Sequence, residues 1–254
     1  MQFGIDFWRF GQALLALPKF LLDLRKFRQY CKQPMVIKPC LHDRKEEGGA
    51  AKGEYFWQDL YIARKIFQAN PDTHVDIGSR FDGFVAHVAS YREIEVIDIR
   101  PIQAIIPGVT FRQMDMMSSD PALQNYCDSV SCLHALEHFG LGRYGDPLDA
   151  EGHAKGLQNL ARLLKPSGRL YLSVPVGRER VEFNANRVFC PEQLLRLAEH
   201  MGLALDSLGW IAPEGAVSES NDPLADVLRL KNVHYVLGIF IFTKQAEPMS
   251  WGTR

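Results

Sequence analysis

The chain has 254 residues, of which 46% are hydrophobic and 23% charged, the profile of a globular protein long enough to bury a sizeable core. Its formal net charge of −1 removes any bulk electrostatic case for nucleic acid or for an acidic partner, so no nucleic-acid partner is indicated. Five cysteines (Cys31, Cys40, Cys127, Cys132 and Cys190) form no C-x-x-C pair and favour a reducing setting over a disulfide framework, so a cytoplasmic location is expected.

Residues 1–32 read as an N-terminal amphipathic helical segment. Phe3, Phe7, Phe10, Leu14, Leu17, Leu21 and Leu24 recur at steps of four and three, an apolar stripe on a helix that Pro18 is expected to kink or split. The segment carries six basic and two acidic side chains. Arg9, Lys19 and Asp23 interrupt any membrane-length apolar run, and no small-residue cleavage site follows. Two readings stay open: a helix covering part of the main domain, or a basic amphipathic helix in peripheral contact with a membrane.

Residues 33–54 are expected to be a linker, including the polar run HDRKEEGGAAKG from His42 to Gly53. Residues 55–245 form the main domain and 246–254 a C-terminal tail. Tyr55–Gln68 has a helical pattern that stops before Asn70-Pro71. Short apolar runs follow at Thr73–Gly78, Glu95–Ile99, Val109–Gln113, Ser129–Leu133 and Arg169–Val174, with helical candidates at Gly83–Ser90, Ala150–Leu164 and Pro191–Met201. Strands alternating with helices predict βαβ units, a parallel sheet and a doubly wound α/β fold. The closing runs Leu203–Ile211 and Val233–Thr243 have no convincing long helix between them and predict an antiparallel pair at one sheet edge.

Chemistry concentrates at the strand ends. In HVDIGSRFDGF (residues 74–84) a strand closes in Asp76-Ile77-Gly78 before a helix, a turn whose backbone N–H groups face ligands in doubly wound folds. Asp98 closes the next strand 22 residues after Asp76, where a carboxylate can accept hydrogen bonds from both ribose hydroxyls of an adenosine-containing ligand. Asp115 follows the third strand and is expected on the same edge. After the fourth strand comes His134-Ala135-Leu136-Glu137-His138. As a bare string this matches the zinc motif H-x-x-E-H, but that motif needs both histidines on one helix face, so no metal is expected. The better functional reading places Glu137 or His138 in an acceptor pocket, where a histidine can take a proton near neutral pH. Arg143, Tyr144, Asp146, Arg178, Arg180, Asn184, Asn186 and Arg187 lie in loops after the fourth and fifth strands, and their arginines suit an anionic or sugar-like acceptor such as a glycan precursor.

These features together resemble the class I S-adenosylmethionine-dependent methyltransferases: Asp76-Ile77-Gly78, Asp98, Asp115, Leu133–His138, and LLKPSGRLYLSVP from Leu163 to Pro175. Within that class, DIGSRFDGF, EHFGLGRYGDP and PVGRERVEFNANRVF resemble a bacterial and nematode domain-of-unknown-function family. The resemblance implies a Rossmann-like sheet of seven strands in the order 3-2-1-4-5-7-6 with the last strand antiparallel. It also implies S-adenosylmethionine as cofactor and a transferase acting on an O or N atom of a small polar acceptor. Asp76, Gly78 and Ser79 match the loop at the methionine end, Asp98 the ribose acid with Ile99 near the adenine, Asp115 and Met116 the adenine edge, and His134 the sulfonium side. Glu137 and His138 are the candidate catalytic pair, with Arg143, Tyr144, Arg180, Asn184 and Arg187 on the substrate side.

One departure matters. The family usually has a second glycine two residues after the first, where this chain has Arg80. Arg80 can swing outward, pair with the cofactor carboxylate, or block the site; the last outcome would leave a catalytically silent binding or scaffolding module. A dinucleotide or nucleotide-sugar enzyme is disfavoured because no full G-x-G-x-x-G run occurs.

Overall fold

The computed structural model describes residues 7–41, 51–212 and 215–246, and the chain divides into two compact units, 1–51 and 52–254. Phe3 of the expected stripe lies outside the described residues, as do the run from His42 to Ala50 and most of the tail.

In the first unit the one described element is α1 (Phe7–Tyr30). Pro18 lies inside it without dividing it, so of the expected kink or split the split does not occur. The stripe members Phe10, Leu14 and Leu21 are exposed, but so are Leu15 and Leu22 a hundred degrees round the helix, so apolar residues are not confined to one face.

In the second unit α2 (Glu54–Ala69) ends at Asn70, whose left-handed backbone is the usual stop ahead of a proline. There follow β1 (His74–Ile77), a π-type turn Phe81–Val85 leading into the single helical turn α3 (Ala86–Ala89), β2 (Ile94–Asp98), β3 (Val109–Gln113) and β4 (Cys127–Leu133). After a short 3-10 turn at Leu136–His138 come α4 (Gly152–Leu163), β5 (Leu164–Val176), β6 (Arg180–Glu182), β7 (Asn186–Val188) and α5 (Pro191–His200). The chain closes with β8 (Leu203–Ile211), β9 (Val217–Glu219), α6 (Pro223–Leu230) and β10 (Val236–Lys244).

The main sheet has the order β3-β2-β1-β4-β5-β10-β8-β9. β1 to β5 run parallel, and β10 is antiparallel to both β5 and β8. The seven principal strands therefore stand in the expected order with the last one antiparallel. β9 is an eighth strand beyond β8, and β6–β7 form a separate hairpin.

Period-two alternation sends successive side chains to opposite faces of this sheet. Leu170, Leu172 and Val174 of β5 pack with α4 and α5, while Tyr171 joins Ile62, Ile66, Phe84 and Val88 on the α2 side. The result is three layers, helix–sheet–helix, with the strand ends left open for a site.

Of the helix expected over Gly83–Ser90, Ala86–Ala89 form α3, while Gly83–Val85 fall in the π-type turn. Gly83 sits at φ −130°, ψ −106°, and a Cβ there would lie 2.2 Å from Asp59 Oδ2. A tertiary approach by a carboxylate of α2 thus overrides the local helical pattern.

Candidate active site

The carboxyl ends of β1, β2 and β4 open onto one cavity of about 760 Å³. Ile77, Gly78 and Ser79 line it from β1, Asp98 and Ile99 from β2, Asp115 and Met116 from beyond β3, and His134, Glu137 and His138 from beyond β4. Three sequence-distant strand ends meet there because the chain reverses winding direction between β1 and β4, the point at which doubly wound sheets leave a crevice.

Gly78 has φ +73°, and a Cβ on it would stand 3.0 Å from the Ala135 Cβ. Both facts require glycine: L-residues rarely adopt that backbone, and the β4 loop leaves no room. Its N–H donates to Ile97 O at 3.0 Å, which ties the β1 turn to β2.

Asp76 is placed differently from the expectation. It does not line the cavity but lies fully buried beneath it. There it accepts from Ser79 N (3.0 Å), Ser79 Oγ (2.7 Å) and Ser131 Oγ (2.6 Å). Burial pushes its carboxyl up to about 6 even though the Ser131 and Ser79 bonds pull the other way. Its work is to shape the loop that carries Gly78 and Ser79.

Asp98 does face the cavity, with its carboxylate already engaged. Oδ1 accepts from Arg100 N (2.8 Å) and Nε (3.0 Å), and Oδ2 accepts from Nη2 (2.6 Å). The Asp115 carboxylate accepts from Met117 N at 2.8 Å, with Met116 buried beside it.

The β4 loop holds a cluster of charges. His134 has φ +55°, and its ring donates from Nδ1 to Glu137 Oε1 (2.6 Å) and from Nε2 to Glu54 Oε1 (3.1 Å). Burial alone would lower this imidazole, but the Glu137 and Glu54 carboxylates outweigh it and raise it to about 10. His134 is therefore a cation between two carboxylates, stacked 4.7 Å from the Tyr55 ring. Glu54 accepts further from Tyr235 OH, at 2.9 and 2.8 Å. Glu137 is fully buried, and among the described residues its Oε2 has no hydrogen-bond partner.

His138 differs in charge. Its Nδ1 donates to Ala185 O at 2.7 Å; a carbonyl can only accept, so a neutral ring keeps its lone pair on Nε2. Burial holds the ring below the ordinary histidine value, against the pull of Glu137, whose Oε1 lies 3.7 Å from Nε2. The two histidines share no helix face: His134 sits at the strand end and His138 in the 3-10 turn. Among the described residues no cluster of three or more His, Cys, Asp or Glu side chains has metal-binding geometry.

The expected substrate residues divide. Arg143 and Tyr144 line the cavity, whereas Arg180, Asn184 and Arg187 do not. Arg180 pairs with Glu182 at 2.7 Å and donates to His234 O at 2.8 Å. Buried Arg187 donates to Phe139 O (2.6 Å) and Ala150 O (3.2 Å), lashing the β4 loop to the start of α4. Asn184 is in the β6–β7 turn; from that hairpin it is Asn186 that reaches the cavity wall. Backbone carbonyls exposed where loops leave the sheet compete for arginine donors, which is why loop position alone overstated Arg180 and Arg187.

Arg80 lies outward at the rim. Its Nε and Nη2 bind both Asp82 oxygens, at 2.9 and 2.6 Å, with the side chain more than half exposed. The pairing with Asp82 is the outward one of the three expected placements, with Arg80 still among the residues that line the cavity.

Glu54, Tyr55, Arg100 and Tyr235 also stand in the cavity wall and are not among the residues expected there, whereas Asn186 is. Glu54 had been assigned to the linker and is instead the first residue of α2. Only Arg100, two residues beyond Asp98, carried a local signal.

The family model described as "Caenorhabditis protein of unknown function, DUF268" matches residues 107–234, half of the chain. The chain belongs to this family. The matched part of this DUF268 chain runs from before β3 to just before β10 and contains His134, Glu137, His138 and the β6–β7 hairpin, while Gly78 and Asp98 precede it.

No curated protein matches the chain in sequence. Among solved structures it is similar to the [4+2]-cyclase SpnF, at 16% identity and TM-score 0.52, covering 74% of this chain and 82% of that one. It is similar too to the Burkholderia thailandensis 1,6-didemethyltoxoflavin-N1-methyltransferase, solved with bound 1,6-didemethyltoxoflavin and S-adenosylhomocysteine, at 16% identity and TM-score 0.51 over 74% and 79% of the two chains. N-methyltransferase NodS of Bradyrhizobium japonicum, in complex with S-adenosylhomocysteine, matches at 13% identity and TM-score 0.51 over 76% and 88%. At such identities the likeness is one of fold, and the fold is that of S-adenosylmethionine-dependent methyltransferases.

Proposed function

We propose that this DUF268 chain is an S-adenosylmethionine-dependent methyltransferase acting on an O or N atom of a small polar acceptor. The observation that carries the reading is one cavity walled by Gly78 at positive φ, by the strand-end acids Asp98 and Asp115, and by a neutral histidine, His138. The cofactor, when bound, supplies an electrophilic methyl group.

The chain's own residues do the rest. Asp98 accepts the ribose hydroxyls, Asp115 accepts from the adenine edge, and Ile99 and Met116 give apolar walls for the base. The Gly78–Ser79 turn and the His134 side of the cavity receive the methionine end. His138 takes the acceptor proton at Nε2, and the Glu137 carboxylate 3.7 Å away stabilises the imidazolium that forms. Arg143 and Tyr144 face the acceptor, which fits a glycan precursor or another anionic small molecule.

Calorimetric titration with S-adenosylhomocysteine tests the cofactor. Binding is expected for the native chain, with affinity lowered about ten- to a hundredfold in Asp98→Ala, since hydrogen bonds to a charged group are each worth roughly 1.5–3 kcal/mol. Absence of heat at millimolar ligand would remove the methyltransferase reading and leave the fold untouched.

The reading includes a cytoplasmic protein with peripheral membrane contact through residues 1–32. Exposed Phe10, Leu14 and Leu21 on α1, together with Lys19, Arg25, Lys26 and Arg28, support it. Anionic liposomes are expected to float the full chain and to leave behind a form lacking residues 1–32. Equal flotation of the two removes the membrane contact.

A further inference from the structure

Arg100 is left without a role by the methyltransferase reading, and it occupies the acid on which adenosine would depend. A carboxylate offers about four lone-pair positions. Arg100 fills three on Asp98: its N–H and Nε on Oδ1, its Nη2 on Oδ2. One position remains, and a ribose diol needs two. The backbone N–H can stay, so it is the guanidinium that must leave. It has room to move: the Arg100 side chain is 45% exposed, while that of Asp98 is 6% exposed.

The guanidinium has a second support. It stacks 4.6 Å from the centroid of the Tyr144 ring. Arg143 stacks on the same ring at 5.1 Å, and the His138 ring meets it edge-on at 5.4 Å. Arg143 lines the cavity, and among the described residues it has no carboxylate partner; its Nη1 donates to Ala185 O, the carbonyl that also holds His138. One tyrosine beside the candidate base thus carries two guanidiniums, one parked on an acid and one paired with none.

We propose that Arg100 is a cofactor-released anion ligand: ribose takes Asp98, and the freed guanidinium, still resting on Tyr144, joins Arg143 in presenting positive charge to a carboxylate or phosphate group of the acceptor beside His138. The proposal rests on the methyltransferase reading and deepens it, since it names the acceptor's recognition group and an order of binding. Before the cofactor arrives, Arg100 is neutralised by Asp98 and the anion site is half made. Afterwards the pair is complete, so cofactor and anion tighten each other's binding by the same factor.

Calorimetric titration of S-adenosylhomocysteine into the native chain, Arg100→Gln and Arg100→Lys decides it, each at fixed ionic strength with chloride, inorganic phosphate or acetate. In chloride, Arg100→Gln is expected to bind about three- to tenfold more tightly than the native chain, because a half-exposed bidentate pair no longer competes. Arg100→Lys, which keeps the charge and loses the fork, is expected to fall between them. Phosphate or acetate is expected to tighten native binding severalfold and to leave Arg100→Gln unchanged, the more effective anion naming the acceptor's group. Equal or weaker binding by Arg100→Gln, or no anion effect on the native chain, overturns the proposal and leaves the cofactor reading standing. Failure of all three proteins to bind overturns both.

Discussion

Replacing His138 with alanine is expected to slow methyl transfer by about 100- to 10,000-fold, the usual worth of a positioned general base. S-adenosylhomocysteine affinity should change by no more than about twofold, because the imidazole serves the acceptor and not the adenosine. Nδ1 is committed to Ala185 O, so the neutral ring presents Nε2 alone, and Glu137 stands 3.7 Å from it. Burial also holds the ring below the ordinary histidine value, so it is already deprotonated near neutral pH. The native single-turnover rate, followed with a labelled methyl group, should therefore stay on its plateau below the pH at which an ordinary histidine titrates. His138→Gln should be as slow as the alanine variant, since an amide does not accept the proton. A variant with undiminished turnover would remove His138 from the chemistry.

The second large effect is on stability. His134→Asn is expected to cost about 3–5 kcal/mol, the range for breaking a buried ion pair and leaving one charge uncompensated. Asparagine tolerates the positive φ of this position, so backbone strain does not confuse the result. What is lost is the cation between Glu54 and Glu137, and Glu137 is fully buried with one oxygen already unpartnered among the described residues.

The pH dependence follows in sign. The folded-state pKa of His134, about 10, lies above its ordinary value, so folded protein holds the proton more tightly than unfolded. The stabilisation is complete below about pH 6.5 and is lost as pH rises toward 10. Urea unfolding across that window should show the native chain weakening, with a flatter profile for His134→Asn. A cost below about 1 kcal/mol would mean that the two carboxylates are compensated elsewhere.

Both predictions turn on contacts of long sequence range, and this divides the legible part of the molecule from the rest. Hydrophobic alternation and helix stops are local, so β3 and β8 fall on the expected residues and the α5 boundary is off by one. A parallel, doubly wound sheet followed from the βαβ alternation, while the strand order was implied by the resemblance to class I methyltransferases. Gly78, Asp98 and Asp115 were legible for the same reason, since a residue closing a parallel strand must appear at the carboxyl edge whatever its neighbours do.

By itself, then, the sequence determined the doubly wound sheet, the edge on which a ligand would sit, and the acids at three strand ends. Tertiary structure alone decided what those groups are bonded to. Asp76 turns under the floor toward Ser131, 55 residues away; Glu54, read as linker, reaches His134 across 80 residues; and Ala185 O fixes the tautomer of His138 from 47 residues away. It also turned Arg187 into a brace and Gly83 into a non-helical turn against Asp59. Periodicity is a property of neighbouring residues, while a side chain's partner, charge and exposure depend on which distant segment the fold brings within 3 to 4 Å.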